Sequence, residues 1–135
     1  MSLNYPIRKI PDNIPENTVT QRIIKCAIEV HKQLEPGLLE SIYENALAIE
    51  LELEGLAYKE QLAVPIIYKG RSLGEHRLDL LIEDMVIVEI KSVERFDPVF
   101  EAQLLTYLHL TKKKVGLLIN FNTRLVKDGI KRFVL

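Results

Sequence analysis

Two short apolar runs in the middle of the chain predict the centre of the fold. They occupy residues 78–82 and 86–91 and are separated by a polar connection. Runs of this length, rich in leucine, isoleucine and valine, are typical of buried strands. Because side chains alternate along a strand, Ile87, Glu89 and Lys91 share one face of the second strand.

The charges on these two strands need an explanation. Burying a carboxylate or an ammonium group without a partner costs several kcal/mol, so such groups are usually matched to something. The first strand carries Asp79. A divalent cation held by Asp79 and Glu89, with Lys91 beside it, would supply the match. These groups are the components for hydrolysing a phosphodiester.

The connection between the two strands decides whether Asp79 and Glu89 can meet. Directly opposite residues of an antiparallel pair point to the same face of the sheet. A two-residue turn would place Asp79 opposite Val88 and send Glu89 to the other face. A connection with an odd number of residues, or a bulge, places Asp79 on the face of Glu89. We therefore predict the odd connection or the bulge.

The remaining periodicity predicts an α/β fold with a central mixed sheet flanked by helices. A capping box formed by Thr18 and Gln21 starts the first helix. Asp97 and Pro98 fit the N-cap and first turn of a later helix. The other predicted elements are helices over about 38–54 and 99–110 and strands over 58–67, 71–73, 115–121 and 130–135.

Glu40 is a further candidate site residue, on the predicted helix 38–54. At 100° per residue it lies at the edge of the apolar arc, whereas Glu44 lies on the polar side. The alternative is that Glu40 extends along the boundary or supports the helix N-terminus through the helix dipole. The arc contains Leu39, Ile42, Tyr43, Ala46, Leu47, Ile49 and Leu53.

Gln103 and Tyr107 are two more candidates. They are four residues apart in the predicted helix 99–110, so they lie on the same face. That face could present an amide and a phenol to a polar pocket. Alternatively, the tyrosine ring packs in the core with its hydroxyl group at the rim.

Composition places limits on these hypotheses. The chain has 135 residues, 47% of them hydrophobic, which suits a single domain over 17–135 preceded by an extended arm over 1–16. No run approaches the roughly 20 apolar residues of a membrane span, and there is no signal-peptide pattern. Cys26 is the only cysteine, so no internal disulfide is possible and a cytoplasmic location is the default. The histidines lack a zinc spacing. A net charge of −1 means that nucleic-acid binding would need a local basic patch.

Several of these residues together resemble a known superfamily. Asp79 followed by Glu89-Ile90-Lys91 resembles the D…(D/E)-x-K motif of the PD-(D/E)xK nucleases. Segment 103–107 resembles the Q-x-x-x-Y element of its RecB-like members, and segment 37–43 is similar to the signature of the GxxExxY proteins. The resemblance covers about residues 18 to 135.

This resemblance implies a restriction-endonuclease-like core and a metal-dependent nuclease acting on DNA or RNA. It implies that Asp79, Glu89 and the Ile90 carbonyl hold Mg²⁺ or Mn²⁺, with Glu40 completing the site directly or through water. Lys91 would orient or deprotonate the attacking water, or stabilise charge on the phosphate. Gln103 and Tyr107 would hold the site or touch the substrate backbone.

Two other functions remain open at this point. A non-catalytic module could keep the fold and bind nucleic acid or a protein, and another enzyme on the same core could hydrolyse free nucleotides. The size of the chain leaves no separate target-recognition domain. Specificity would then come from a homodimer or from a partner protein.

Overall fold

In the computed structural model of the chain, which describes residues 14–135, five strands form one sheet in the order β1-β2-β3-β4-β5. β3 and β4 are parallel, and the other neighbouring pairs are antiparallel. The sheet is therefore mixed, as predicted. The strands are β1 (Tyr58–Tyr68), β2 (Arg71–Ile82), β3 (Val86–Lys91), β4 (Val115–Asn120) and β5 (Ile130–Val134).

Helices cover both faces of this sheet. α1 (Pro15–Leu34) and α2 (Glu40–Glu54) pack against one face, where Val86, Val88 and Ile90 of β3 belong to their core. α3 (Pro98–Thr111) connects β3 to β4 and packs on the other face, against the side of Ile87. β3 and β4 are buried along almost their whole length because both faces are covered. No helix within residues 14–135 is long and apolar enough to cross a membrane.

Helix starts depend on local capping. Asp97 accepts a hydrogen bond from the backbone N–H of Val99 (2.9 Å), and Pro98 begins α3, as predicted. The prediction for α1 was wrong: the helix begins at Pro15, with Ile14 at the N-cap position, and not at Thr18. Proline at the first helical position has no N–H to leave unpaired, so it extends the helix toward the N-terminus. Of the predicted arm 1–16, Pro15 and Glu16 are thus helical and Ile14 is the N-cap, and residues 1–13 lie outside the described part of the chain.

The connection between β2 and β3 confirms the odd-numbered hairpin. Leu80 pairs with Val88 and Ile82 with Val86, which leaves three residues, 83–85, between the strands. The same register places Asp79 opposite Glu89. Both acids can therefore project from the same face of the sheet, toward α3.

β2 differs from the prediction in its length. It is one strand from Arg71 to Ile82, where the sequence predicted a short strand over 71–73 and a second one around Asp79. β2 pairs with β1 along its length, and only Leu80–Ile82 also pair with β3. Residues 71–77 are all exposed, so this part lacks the apolar alternation from which strands are predicted.

The packing face of α2 also differs from the predicted arc. Tyr43, Leu47, Ala48 and Leu51 are buried. Four other members of the predicted arc are exposed: Leu39 (73%), Ile42 (42%), Ile49 (58%) and Leu53 (77%). The helix carries two apolar stripes, and only one of them meets the core. Its buried face is therefore rotated away from the predicted one.

Asn120, at the end of β4, fixes the segment that follows β3. Its side-chain oxygen accepts hydrogen bonds from the N–H groups of Val93 (3.1 Å) and Asn122 (3.1 Å), and its amide donates to the Val93 carbonyl (3.0 Å). The side chain is buried, with 3% exposed. The Asn120 side chain thus makes hydrogen bonds of the kind that a further strand residue would make where the β3–β4 ladder ends.

We expect Asn120→Ala to reduce the free energy of unfolding by about 3 kcal/mol, since three hydrogen bonds of about 1 kcal/mol each are lost. Urea denaturation measures the change. The matched control is Asn122→Ala, because the Asn122 side chain makes no hydrogen bond to any residue between 14 and 135. Equal stability of the two variants would contradict the role given to Asn120.

Candidate active site

A small polar pocket lies between the C-terminal end of β3, the middle of β2 and the start of α3. Its volume is about 140 Å³. A larger cleft of about 710 Å³ lies between α1 and α2, but it contains none of the candidate residues. The residues that line the small pocket are His76, Arg77, Asp79, Glu89, Lys91, Phe100, Gln103 and Tyr107.

Asp79 and Glu89 form the floor of this pocket. Oδ2 of Asp79 accepts a hydrogen bond from the backbone N–H of Ile90 (2.8 Å), which fixes the carboxylate against β3. Glu89 is buried, with 6% exposed, and its Oε1 has no hydrogen-bond partner among the described residues. A buried carboxylate oxygen without a partner is costly in a folded protein.

The electrostatics of the pair disfavour two negative charges. The pKa of Glu89 is raised from 4.5 to about 9, first by burial and then by the charge of Asp79, while Lys91 acts in the opposite direction. Without a cation the glutamate therefore carries a proton at neutral pH. A divalent cation in the pocket would remove the repulsion and provide a partner for the free oxygen.

The donor set fits a magnesium or manganese ion. The N–H of Ile90 points toward Asp79, and the N–H and C=O groups of one strand residue point to the same side, so the Ile90 carbonyl also faces this edge. The neighbouring carbonyl, of Lys91, points the other way and accepts from Phe121 (2.9 Å).

No cluster of three His, Cys, Asp or Glu side chains able to hold a metal occurs within residues 14–135. Two carboxylates and a carbonyl suit Mg²⁺, which keeps several waters.

Lys91 extends across the opening of the pocket. Its Nζ lies 4.6 Å from the centroid of the Phe100 ring, at the start of α3. A cation above an aromatic face is attracted by the ring and is held in one position. The ammonium group therefore lies next to the carboxylate pair with its direction fixed by α3.

Gln103 and Tyr107 face the same pocket from α3. The Tyr107 ring is buried and stacks on His76, with ring centroids 4.3 Å apart, and its hydroxyl group is hydrogen-bonded to Nε2 of His76. Burial, followed by the charges of Glu89 and Asp79, raises the pKa of Tyr107 to about 12. The phenol thus stays protonated; its ring lies in the core and its hydroxyl group is at the pocket.

Glu40 does not line this pocket. It is exposed at the first position of α2, and its Oε2 accepts a hydrogen bond from the N–H of Ser92 (3.1 Å), next to Lys91. Ser92 in turn donates its hydroxyl group to the Leu38 carbonyl (2.6 Å). Glu40 therefore joins the start of α2 to the segment that follows β3.

The motif residues around Glu40 shape the loop before α2. Gly37 has φ 103°, a conformation that side chains other than glycine rarely adopt. The Tyr43 hydroxyl group accepts from the N–H of Leu38 (3.1 Å) and donates to the carbonyl of Glu35 (2.6 Å), and its ring stacks on Phe121. Tyr43 thus forms hydrogen bonds with both ends of the loop that precedes Glu40.

Sequence reasoning missed Glu44 and Gln61. The Gln61 amide donates to Oε1 of Glu44 (2.8 Å) and to Oδ1 of Asp79 (3.3 Å). Burial raises the pKa of Glu44 to about 7; the Gln61 hydrogen bond lowers it, while the charge of Asp79 raises it. The sequence pattern placed Glu44 on the polar side of the helix because the predicted apolar arc was centred on residues that the structure leaves exposed. Glu44 becomes a candidate only when the packing face of α2 is known.

His76 was missed because β2 is irregular, whereas Arg77, two positions before Asp79, shares its face even in a regular strand. In a regular strand His76 and Asp79, three positions apart, would point to opposite faces, yet both line the pocket. Gln61, across from Asp79 in β1, has φ 50° and interrupts the ladder between the pairs of Glu60 and Leu62. A local distortion of this kind re-aims side chains and has no signal in the sequence.

Comparison with known proteins gives one match. The model of the PD-(D/E)XK nuclease superfamily matches residues 17–133, which include every residue of the pocket. The mixed five-stranded sheet with helices on both faces is consistent with the restriction-endonuclease-like fold of that superfamily. No curated protein and no solved structure matches the chain.

The raised pKa of Glu89 predicts how the metal-free protein responds to pH. Between pH 4.5 and about 9 the folded state keeps a proton on Glu89 that the unfolded state releases, so this contribution to stability is full below pH 4.5 and is lost as the pH rises toward 9. Glu89→Gln removes the titration. We therefore expect it to melt at a higher temperature than wild type at pH 8, with a smaller difference at pH 5.

Thermal unfolding in the presence of a chelator measures this. Glu94→Gln, which changes an exposed acid, serves as the control and should follow the wild type at both pH values. If Glu89→Gln and wild type lose stability in parallel as the pH rises, Glu89 does not carry the proton assigned to it.

Proposed function

Because the chain belongs to the PD-(D/E)XK nuclease superfamily, we propose that it is a Mg²⁺- or Mn²⁺-dependent nuclease that hydrolyses phosphodiester bonds of a nucleic acid. The observation that carries this proposal is the buried, unpartnered Oε1 of Glu89 beside Asp79 and Lys91. Burying this carboxylate oxygen costs free energy when the pocket holds no cation, whereas the same oxygen can act as a ligand when a cation is bound. It is therefore better explained by chemistry than by stability.

Asp79, Glu89 and the Ile90 carbonyl would hold the ion. When bound, the ion supplies a Lewis acid that lowers the pKa of a water molecule and neutralises charge on the phosphate. Asp79 is already oriented by Ile90 and Gln61, so its carboxylate needs little rearrangement to bind a ligand. Glu89 would exchange its proton for the cation.

Lys91 is the group that we assign to the attacking water or to the phosphate. Its position above Phe100 directs the ammonium group into the pocket opening without a carboxylate partner within salt-bridge distance among the described residues. The Lys91 ammonium group, fixed at this place, would orient the water or stabilise the charge that develops on the phosphate oxygens.

The α3 residues would act on the substrate by hydrogen bonding. Tyr107 keeps its proton, so it offers a donor or shares it with His76, and the exposed Gln103 amide can reach the nucleic-acid backbone. Neither group is suited to be a base at neutral pH. Their proposed role is to hold the substrate and the pocket.

We assign Glu40 a place beside the ion, reached through water, because its carboxylate binds Ser92 and does not line the pocket. The same contact lets it position Lys91 through the neighbouring residue. The glycine, glutamate and tyrosine at 37, 40 and 43 also lead us to propose that the chain is a GxxExxY protein. Their contacts around the loop before α2 give this motif a structural purpose.

A cleavage assay tests the proposal. Labelled single- and double-stranded DNA and RNA are incubated with Mg²⁺ or Mn²⁺ and with wild type, Asp79→Asn, Glu89→Gln or Lys91→Met. We expect each variant to lose at least about 100-fold in rate, because each removes a group used in the transition state. Asp84→Asn, which makes the same change in the turn after β2, should keep the wild-type rate.

Metal binding provides a readout that does not depend on turnover. Mg²⁺ should raise the melting temperature of wild type and of Lys91→Met, but not that of Glu89→Gln, because only the last has lost a ligand. Stabilisation by the metal without cleavage of any substrate would favour a binding module, or an enzyme that requires a partner protein or a second copy. Equal stabilisation of Glu89→Gln would remove the proposed metal site.

A further inference from the structure

The outer parts of β1 and β2 form a two-stranded ribbon that extends beyond the rest of the sheet. We define this ribbon as residues 62–77; it lies outside the three-residue pairing of β2 with β3. Its turn is Lys69-Gly70, with φ of 49° and 76°. Two positive φ values in a two-residue connection are typical of a type I′ turn, which keeps the ribbon tightly twisted.

The tip of the ribbon carries apolar side chains that are not covered. Ile67 is 58% exposed, Tyr68 59% and Leu73 65%. Two strands alone are marginally stable in water, and a group of exposed large apolar residues indicates an interaction surface. The ribbon therefore has the features of a binding element.

The charge of the ribbon indicates the kind of partner. It contains Lys69, Arg71 and Arg77 against the single acid Glu75, which gives +2 in a chain whose net charge is −1. The two cations nearest the turn are free of ion pairs with the described residues, and Lys69 lies 5.5 Å from the ring of Tyr68. This local excess of positive charge suits a polyanion.

The ribbon is continuous with the active site. His76 and Arg77, at its base, line the pocket that contains Asp79 and Glu89. From Arg77 to Arg71 the strand covers about 20 Å, at about 3.3 Å per residue. The tip is thus placed to contact the same substrate molecule at a distance from the bond that is cleaved.

We propose that the ribbon binds double-stranded DNA through its major groove, with Lys69 and Arg71 on phosphates about six base pairs from the cleaved one. The inference rests on the proposed nuclease function and specifies its substrate. The major groove of B-form DNA, about 12 Å wide, admits a two-stranded ribbon, whereas that of A-form RNA is too narrow. Along the helix axis the phosphates of one strand follow each other roughly every 3.4 Å, so about 20 Å along that axis corresponds to about six base pairs.

Binding is measured by fluorescence anisotropy over a range of salt concentrations, with Mg²⁺ and in the Lys91→Met background, where turnover is removed. The test variant is Lys69→Glu with Arg71→Glu. The control is Lys112→Glu with Lys114→Glu, which makes the same charge change at the end of α3, where β4 begins, opposite to the C-terminal end of β3.

We expect the ribbon variant to weaken duplex DNA binding by at least tenfold and to reduce the slope of log K against log salt by about 2, since two phosphate contacts are lost. The control should bind within twofold of the unchanged protein. Binding should also weaken for duplexes that end fewer than about six base pairs from the cleavage site. Duplex DNA should be bound more tightly than duplex RNA or single strands.

Other results overturn the inference. An unchanged affinity and slope in the ribbon variant, or equal loss in the control, would show that the ribbon makes no specific contact with DNA. Preferred binding of RNA or of single strands would also reject it. So would a wild-type dimer, seen by sedimentation, that Ile67→Ser with Leu73→Ser converts to a monomer, since the tip would then bind a second copy. Cleavage of duplex DNA at the wild-type rate by the ribbon variant, at limiting substrate, would leave the nuclease proposal intact and remove only the ribbon.

Discussion

The burial of Glu89 beside Asp79 is the constraint on which the rest of the structure depends. β3 places the glutamate in the centre of the sheet, covered by α3, and the hairpin sets the aspartate directly opposite. Removing these groups from water and placing them together raises the pKa of Glu89 to about 9. The surrounding elements do not relieve this cost: Ile90 and Gln61 bind Asp79 and leave Oε1 of Glu89 free. This unrelieved cost is the basis on which we propose a cation site at the pair.

The parts of the structure that were predictable depend on counting and on local chemistry. Three residues between Ile82 and Val86 fix the parity of the hairpin, and therefore the face of Asp79. The apolar run at β4 predicts a strand buried on both faces, and Asp97 before a proline predicts the start of α3. These features follow from alternation and capping, which involve only neighbours in the chain.

The parts that were missed depend on contacts distant in sequence. Gln61 adopts a left-handed conformation that its residue type does not signal, and His76 lines the pocket against the alternation of a regular strand. Glu44 shares the Gln61 amide with Asp79 because α2 buries one of its two apolar stripes and leaves Leu39 and Leu53 exposed. Hydrophobic periodicity shows that a helix has an apolar face, but tertiary packing selects which face is used when two are available.

The separation between the ribbon and the three-layered core has a consequence for how this chain can change over generations. The carboxylate pair is anchored in strands that are buried on both sides, whereas residues 65–75 contribute almost nothing to the core. Insertions, deletions or new side chains at the Lys69-Gly70 turn would therefore leave the carboxylate pair undisturbed. The length and binding preference of the ribbon can therefore diversify quickly while the residues of the pocket stay unchanged.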